Sequence, residues 1–224
     1  MLRASIAVCQ VCGAVGAPYH WASADPPPEA DAIAKVGLAN AVFAFRRRVI
    51  GLHSPAPQSG KSLVAGHLRR HGFMVVPFAT ALKDLARQLC VHLGRTMAEI
   101  DAALAGDKSQ VVYNGVTMRR LLQTLGTEWG RQHLGPQVWI DCWRASANLL
   151  PACHIVADDV RFPNEAQAIR DLGGEVWMIV RPGAGVAQAH ASEGQQIVCD
   201  HHLLNDSDPA HLFDQADQRL QGMA

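Results

Sequence analysis

From Val49 onward, short apolar runs alternate with longer stretches of helical period. Four runs read as strands: Val49 to His53, Phe73 to Phe78, His154 to Asp158, and Glu175 to Val180, with a fifth near His201 to Leu204. The intervening helices are Lys61 to Arg70, Thr80 to Leu93, Pro163 to Leu172, and Pro209 to about Leu220. Glycines follow the first three, at Gly72, Gly94 and Gly173-Gly174, and prolines open the last two. That asymmetry is expected, because a first-turn proline gives up an N–H that has no helical acceptor and glycine accepts the left-handed turn past the last residue. Strand and helix in alternation predict an α/β fold, with a parallel sheet joined by helical crossovers.

The cleanest amphipathic segment is Met118 to His133, expected as one α-helix. Met118, Leu122, Leu125 and Trp129 repeat on one face, widened by Leu121, while Arg120, Thr124, Thr127 and Arg131 repeat on the opposite face and Glu128 lies off that stripe. A polar stripe of this kind is either a solvated surface or a wall facing phosphate, and the pattern leaves both readings open.

Residues 1 to 45 lack a sustained period. They are Ala-rich, broken by Pro26-Pro27-Pro28 and followed by Arg46-Arg47-Arg48. We expect an N-terminal extension of unknown role, partly disordered, with the folded domain running from 46 to 224. Cys9-x-x-Cys12 resembles half of a zinc knuckle, with His20 as a third ligand, but structural zinc takes four and no second cysteine pair follows at a suitable spacing, so ordinary thiols are favoured.

Composition narrows the class. The chain has 224 residues, 49% of them hydrophobic, with 20 basic and 20 acidic side chains. A neutral balance argues against a dedicated duplex binder, whose basic face would show in the total. No apolar run is long enough for a membrane span. Six cysteines scattered through this length fit reduced thiols in the cytoplasm. A secretory reading of the weakly apolar start, with Ala22-Ser23-Ala24 as cleavage site, is less favoured.

Chemistry enters after the first strand. Ser54-Pro55-Ala56-Pro57-Gln58-Ser59-Gly60-Lys61-Ser62 connects it to an apolar helix, which is the placement of a phosphate-binding loop. In such a loop backbone N–H groups and the helix dipole hold phosphate, the lysine reaches the terminal phosphates and the hydroxyl ligates Mg2+. Only the second half of GxxxxGK[ST] is intact, since Pro55 stands where the first glycine belongs. Pro55 and Pro57 donate nothing, whereas Gln58, Ser59, Gly60, Lys61 and Ser62 keep their N–H groups next to the helix.

A second strand end carries Asp158-Asp159-Val160-Arg161. Carboxyl ends of strands face the ligand crevice in open α/β sheets, so one of the two acids can meet a nucleotide's metal, and Arg161 can steady a phosphoryl group. Neighbouring residues on a strand point opposite ways, so only one acid is expected to do so. The competing reading is a cap on the following helix.

Taken in order, Val49 to Ala65, Pro77 to Lys83 (PFATALK), Arg119 to Arg131 (RRLLQTLGTEWGR), Val138-Trp139 and Asp159 to Ala166 (DVRFPNEA), with His190-x-Ser192-Glu193 and Asn205-Asp206 beyond, resemble the phage-type deoxynucleoside monophosphate kinases of the P-loop superfamily. The resemblance implies a three-layer P-loop kinase fold, with a mostly parallel central sheet flanked by helices. It also implies transfer of the γ-phosphoryl of ATP, with Mg2+, to a deoxynucleoside monophosphate, giving the diphosphate. By position it makes Gln58, Ser59, Gly60, Lys61 and Ser62 the ATP loop, and Asp159, directly before Val-Arg-Phe, the metal acid beside Ser62. Lys61, Asp159 and Arg161 become the catalytic set. Lys83, Arg120, Gln123, Thr127, Arg131, Trp139 and Glu165 line the acceptor side. The family's loop carries glycines where this chain has Pro55, Pro57 and Gln58. Small nucleotides are the expected partners, with no nucleic-acid polymer and no membrane, and a homodimer is compatible with the reading.

Arg95 to Gly115, with Gly106-Asp107-Lys108 at its middle, is expected to be a lid or an acceptor-clamping insertion. His190, Ser192 and Glu193 receive no physical role. Two other functions compete: a catalytically silent nucleotide-binding module, and a P-loop kinase for another small acceptor such as a coenzyme precursor.

Overall fold

The structure, a computed structural model, describes residues 47–106, 108–150, 152–184 and 197–223. The extension to residue 45, with Cys9, Cys12 and His20, lies outside the described residues, as do His190, Ser192 and Glu193.

Five parallel strands form the central sheet: β1 (Val49–His53), β2 (Phe73–Val75), β5 (His154–Val160), β6 (Glu175–Val180) and β7 (His201–Leu204), in the order β2-β5-β1-β6-β7. Strands buried on both faces need apolar residues at nearly every position. In β1, Val49 to Leu52 are all buried. Among the described residues, seven α-helices flank the sheet: α1 (Lys61–Arg70), α2 (Thr80–His92), α3 (Met97–Ala105), α4 (Met118–Gln123), α5 (Val138–Asn148), α6 (Pro163–Asp171) and α7 (Pro209–Gly222). None of the described helices is long and apolar enough to cross a membrane.

Alternation along the strands divides the core into two layers. Ile50, Leu52, Val156, Trp177, Ile179 and Leu203 face α1 and α7, meeting Val64, Leu68, Leu212 and Leu220. Val49, Ile155, Ala157, Val160 and Val176 face α5 and α6, meeting Ile140, Trp143, Ala166 and Ile169. The three-layer architecture expected from the resemblance is therefore present.

Two strand ends differ from the hydrophobic pattern. β2 stops at Val75, because after the bond from Val76 N to Val156 O comes Pro77, which has no N–H to continue the ladder. β5 continues to Val160 through an irregularity in which Gly51 to His53 of β1 faces Ala157 to Val160. The extra residue lies at the Asp158-Asp159 pair.

Arg95 to Gly115 contains more order than a lid requires. Thr96 and Glu99 form a capping box at the start of α3, and β3 (Val111–Tyr113) pairs antiparallel with β4 (Val116–Thr117). Ile100, Ala103, Leu104 and Val112 pack with Ala86, Cys90 and Met118 in a core of their own. The insertion is thereby fastened to α2 and α4.

Met118 to His133 is not one α-helix. The α geometry ends at Gln123, and a π-helix runs over Thr124–Leu134. Hydrogen bonds to i+5 turn each residue through a smaller angle than α geometry does, so a 3.6-residue stripe loses register. Trp129 accordingly leaves the apolar face and stands 42% exposed, and Glu128 comes into line with Arg120, pairing with it at 3.0 Å. The buried contacts fall on glycines instead. A Cβ at Gly126 would lie 3.0 Å from Leu82, and one at Gly130 2.6 Å from the Trp139 ring. The indole of Trp139, on α5, donates to the Gly126 carbonyl at 2.9 Å.

Gly130→Ala should therefore destabilise the protein by about 1–3 kcal/mol through overpacking against Trp139. Gly66, inside α1, has open space within 4 Å of the point where a methyl group would stand, and Gly66→Ala should stabilise by about 0.5–1 kcal/mol. Urea midpoints of the two variants check both signs; equal effects would contradict the packing described.

Candidate active site

Because the five strands are parallel, their carboxyl ends share one edge, where His53, Val160, Val180 and Leu204 hand over to loops. Ligands of open α/β sheets bind along this edge.

The loop after β1 is held from the ends of β6, beside it in the sheet, and of β7, the next strand beyond. Arg181, directly after β6, donates from Nη1 to the Gln58 carbonyl at 2.9 Å. Asn205, directly after β7, donates from Nδ2 to the Ser59 carbonyl at 2.8 Å. A trans peptide points its N–H opposite to its C=O, and no described peptide is cis, so the N–H groups of Ser59 and Gly60 are turned away from these anchors. Gln58 and Gly60 adopt left-handed conformations, φ 54° and 108°. At Gly60 a side chain is excluded twice, by φ and by Asn205, which a Cβ would approach to 2.7 Å. Gly60 caps α1, and its carbonyl takes the first helical bond, from Val64 at 3.1 Å. Ser59 is buried, and its hydroxyl has no partner among the described residues. Pro55 and Pro57 stand exposed at the outer rim, as their missing donors require.

Lys61 and Ser62 open α1. Lys61 acts electrostatically on His53, whose pKa is lowered first by burial and further by this lysine, while the bond to the Val160 carbonyl opposes the shift. His53 donates from Nδ1 to that carbonyl at 3.0 Å.

Across β1, Asp159 uses both oxygens on backbone: Oδ1 accepts from Phe78 N at 2.8 Å and Oδ2 from Ala79 N at 3.0 Å. The acid caps a helix start, but that of α2 rather than of the helix following it in sequence. Burial raises its pKa, Asp158 adds to the rise, and the two N–H groups and Lys83 oppose it. Asp158, directly before it in the irregular stretch of β5, is half-buried.

Glu165, 3% exposed, accepts from the backbone N–H of Arg161 at 2.8 Å and of Phe162 at 3.1 Å, capping α6. Its other oxygen pairs with Arg131 at 2.8 Å, and the Arg131 guanidinium lies 3.8 Å above the Phe162 ring. Burial raises the Glu165 pKa, with the Asp159 charge adding, against the Arg161 N–H and the Arg131 charge. Arg131 thus ties the π-helix to the end of β5.

The remaining expected residues fall in several places. Lys83, in the first turn of α2, is half-buried beside Asp159, and Arg161 is exposed at the end of β5. Gln123 and Thr127 are half-buried on α4 and the π-helix. Arg120 is exposed and engaged by Glu128. Trp139 is 4% exposed, with its N–H already committed to Gly126. Sequence reading assigned no role to Arg181 and Asn205. For both the available signal was position, one residue beyond a strand at the ligand edge.

The sequence profile of the family described as deoxynucleotide monophosphate kinase matches residues 77–215. A protein of Acanthamoeba polyphaga mimivirus, provisionally described as a deoxynucleotide monophosphate kinase, is 30% identical over 155 residues, 60% of this chain and 75% of its own length. The family match starts at Pro77, beyond the loop, and contains Lys83, Asp159, Arg131 and Glu165, the residues that build the wall opposite it. More than half of the sequence, including that wall, places the chain in the deoxynucleotide monophosphate kinase family.

Proposed function

We propose that the protein transfers the γ-phosphoryl group of ATP to the 5′-phosphate of a deoxynucleoside monophosphate, giving ADP and the deoxynucleoside diphosphate. The observation that carries this reading is the pair of carbonyls at Gln58 and Ser59, bonded to Arg181 and Asn205, which turns the N–H groups of Ser59 and Gly60 away from those anchors, the orientation a bound phosphate would need. Together with Gly60, Lys61 and Ser62 at the start of α1, they form the donor loop despite the two prolines.

The acceptor is already an anion, so the chemistry asks mainly for positioning and charge neutralisation. An oxygen of its phosphate attacks the γ-phosphorus, and the bond to the bridging oxygen breaks with ADP leaving. Lys61 neutralises the terminal phosphates, and Arg161 approaches the group in transfer from the end of β5. Arg131, Gln123 and Thr127 line the acceptor side, with Glu165 and Trp139 positioning them. Arg120, exposed and paired, contributes least to that wall.

The Ser62 hydroxyl and the carboxylates after Ala157 offer the hard oxygen donors that suit Mg2+. When bound with the nucleotide, that ion supplies charge neutralisation at the phosphates. We assign the loop-facing carboxylate to Asp158, and to Asp159 the orientation of α2 and Lys83, because both Asp159 oxygens already accept backbone N–H groups. The cytoplasm, where nucleotides are abundant, suits the thiols of Cys90, Cys142 and Cys199, which form no disulfide among the described residues.

A coupled ADP-release assay with the four deoxynucleoside monophosphates should show turnover, reduced at least a hundredfold in Lys61→Ala. ATP binding without turnover on any of them would replace the kinase with a silent module, and turnover on a non-nucleotide acceptor alone would change the substrate class.

Asp158→Asn should lower kcat at least tenfold with little change in the thermal midpoint, whereas Asp159→Asn should alter stability as well. The sign for Asp159 follows from its raised pKa: the folded protein holds this proton more tightly than the unfolded chain does. Stability relative to Asp159→Asn is then greatest at low pH and declines as pH climbs from about 4, the ordinary carboxylate range. Denaturant titrations of both proteins from acid to neutral pH check it; a difference that grows with pH would refute the assignment.

A further inference from the structure

We infer that His67 and His71, at the C-terminal end of α1, form with Asp217 of α7 a binding site for a divalent d-block cation, Zn2+ above all. The site lies at the end of α1 remote from the loop, and the inference does not depend on the proposed function.

Helix geometry and packing bring the three side chains together. His67 and His71 are four residues apart and so share one side of the helix end. Asp217 reaches them from α7, which lies against α1 through Val64, Leu68, Leu212 and Leu220. Its Oδ1 stands 2.7 Å from Nε2 of His67 and 3.1 Å from Nε2 of His71, so both rings aim the same nitrogen at one point. The His67 ring is held in place by stacking on Phe213, one turn before Asp217, with centroids 4.4 Å apart and planes 2° apart, and Arg70 lies over the same phenyl ring. Side-chain exposure rises from 10% at His67 to 35% at Asp217 and 42% at His71, which leaves an entry for an ion from solvent.

Two imidazole nitrogens and one carboxylate oxygen are the donor set of a three-ligand zinc site whose fourth position takes water. Bonds of about 2.0–2.2 Å in tetrahedral geometry place donor atoms roughly 3.3 Å apart. The three here lie within 4.8 Å of one another, so side-chain rotation suffices and neither helix has to move. Among the described residues no other three His, Cys, Asp or Glu side chains converge in this way. Holding Asp217 by a hydrogen bond alone requires one imidazole; the second adds a donor atom at the same point. The partial negative charge at the C-terminus of α1 favours a cation there as well. On binding, Nε2 of His67, which bonds to Asp217 at 2.7 Å, gives its lone pair to the ion, and the ring carries its proton on Nδ1. That atom is buried without a partner among the described residues. A ligating histidine whose other N–H lacks an acceptor loses about 10–100-fold in affinity, which puts the dissociation constant in the micromolar range. Mg2+ and Ca2+ take oxygen donors and are excluded by the two nitrogens. Lys61 stands about 9 Å along the helix axis from His67, and α7 follows the Asn205 anchor, so the ion braces two elements that hold the loop.

The test uses the full chain, stripped of metal with a chelator and dialysed. Zn2+ should raise its thermal midpoint, and calorimetry should give a site of micromolar dissociation constant that excess Mg2+ does not displace. His71→Ala and Asp217→Ala alter side chains outside the core; each should weaken Zn2+ binding at least tenfold and abolish most of the midpoint rise. Co2+ in place of Zn2+ should give the strong visible absorption of a four-coordinate ion in the unaltered protein and lose it in both variants. No midpoint rise with Zn2+ overturns the site. Weakening of less than tenfold in either variant overturns it too, since the ion is then held by other side chains. None of these measurements involves phosphoryl transfer, so the site and the kinase reading stand or fall separately.

Discussion

Asp159 accepts one backbone N–H with each oxygen, and both come from the residues that lead the chain out of β2 and into α2. Two such hydrogen bonds are worth roughly 0.5–1.5 kcal/mol each. Much else depends on where they put α2. Lys83 extends from its first turn, Leu82 packs beneath Gly126 of the π-helix, and Ala86 and Cys90 seed the core that fastens the insertion. A bidentate contact at one strand end therefore orients three parts of the crevice that are distant in sequence. The proline that ends β2 cooperates, since a strand continued past Val75 would carry Phe78 and Ala79 along the sheet.

The opposite wall obeys a different constraint. Under the proposed function the loop after β1 has to keep several N–H groups facing a phosphate. Here the carbonyls of the same peptides are bonded outward to Arg181 and Asn205, so trans geometry holds the N–H groups in place. These anchors lie just beyond β6 and β7, and Pro55 and Pro57 stand exposed outside the stretch they hold.

The strands and most helices were legible because burial on both faces of a parallel sheet leaves continuous apolar runs, and because glycine and proline punctuate helix ends for steric reasons. β1, β6 and β7 have the bounds their apolar runs imply. The π-helix was not legible, since Met118, Leu122, Leu125 and Trp129 fit a 3.6-residue period, and only the contacts of Gly126 and Gly130 with Leu82 and Trp139 show why another winding is adopted. α5 was missed as well, although its Trp139, Ile140 and Trp143 lie in the core. Among site residues, the loop and DVRFPNEA stretch announced themselves by chemistry at a strand end. Asn205 and Arg181 act from just beyond β7 and β6, remote in sequence from the loop they hold. Such juxtapositions belong to the tertiary fold and leave no local pattern.

The directions of the pKa shifts around the crevice share one physical origin. Burial raises the pKa of Asp159 and Glu165 and lowers that of Lys108 and His53, so each is shifted toward its neutral form. A neutral net charge over 224 residues conceals this, because the acids and bases that balance elsewhere on the surface do not balance here. Holding ionisable groups under partial desolvation costs stability, and that cost is recovered when a ligand brings opposite charge to groups already in place. Under the proposed function, phosphates at the loop and on the acceptor side are the charges that fit such groups.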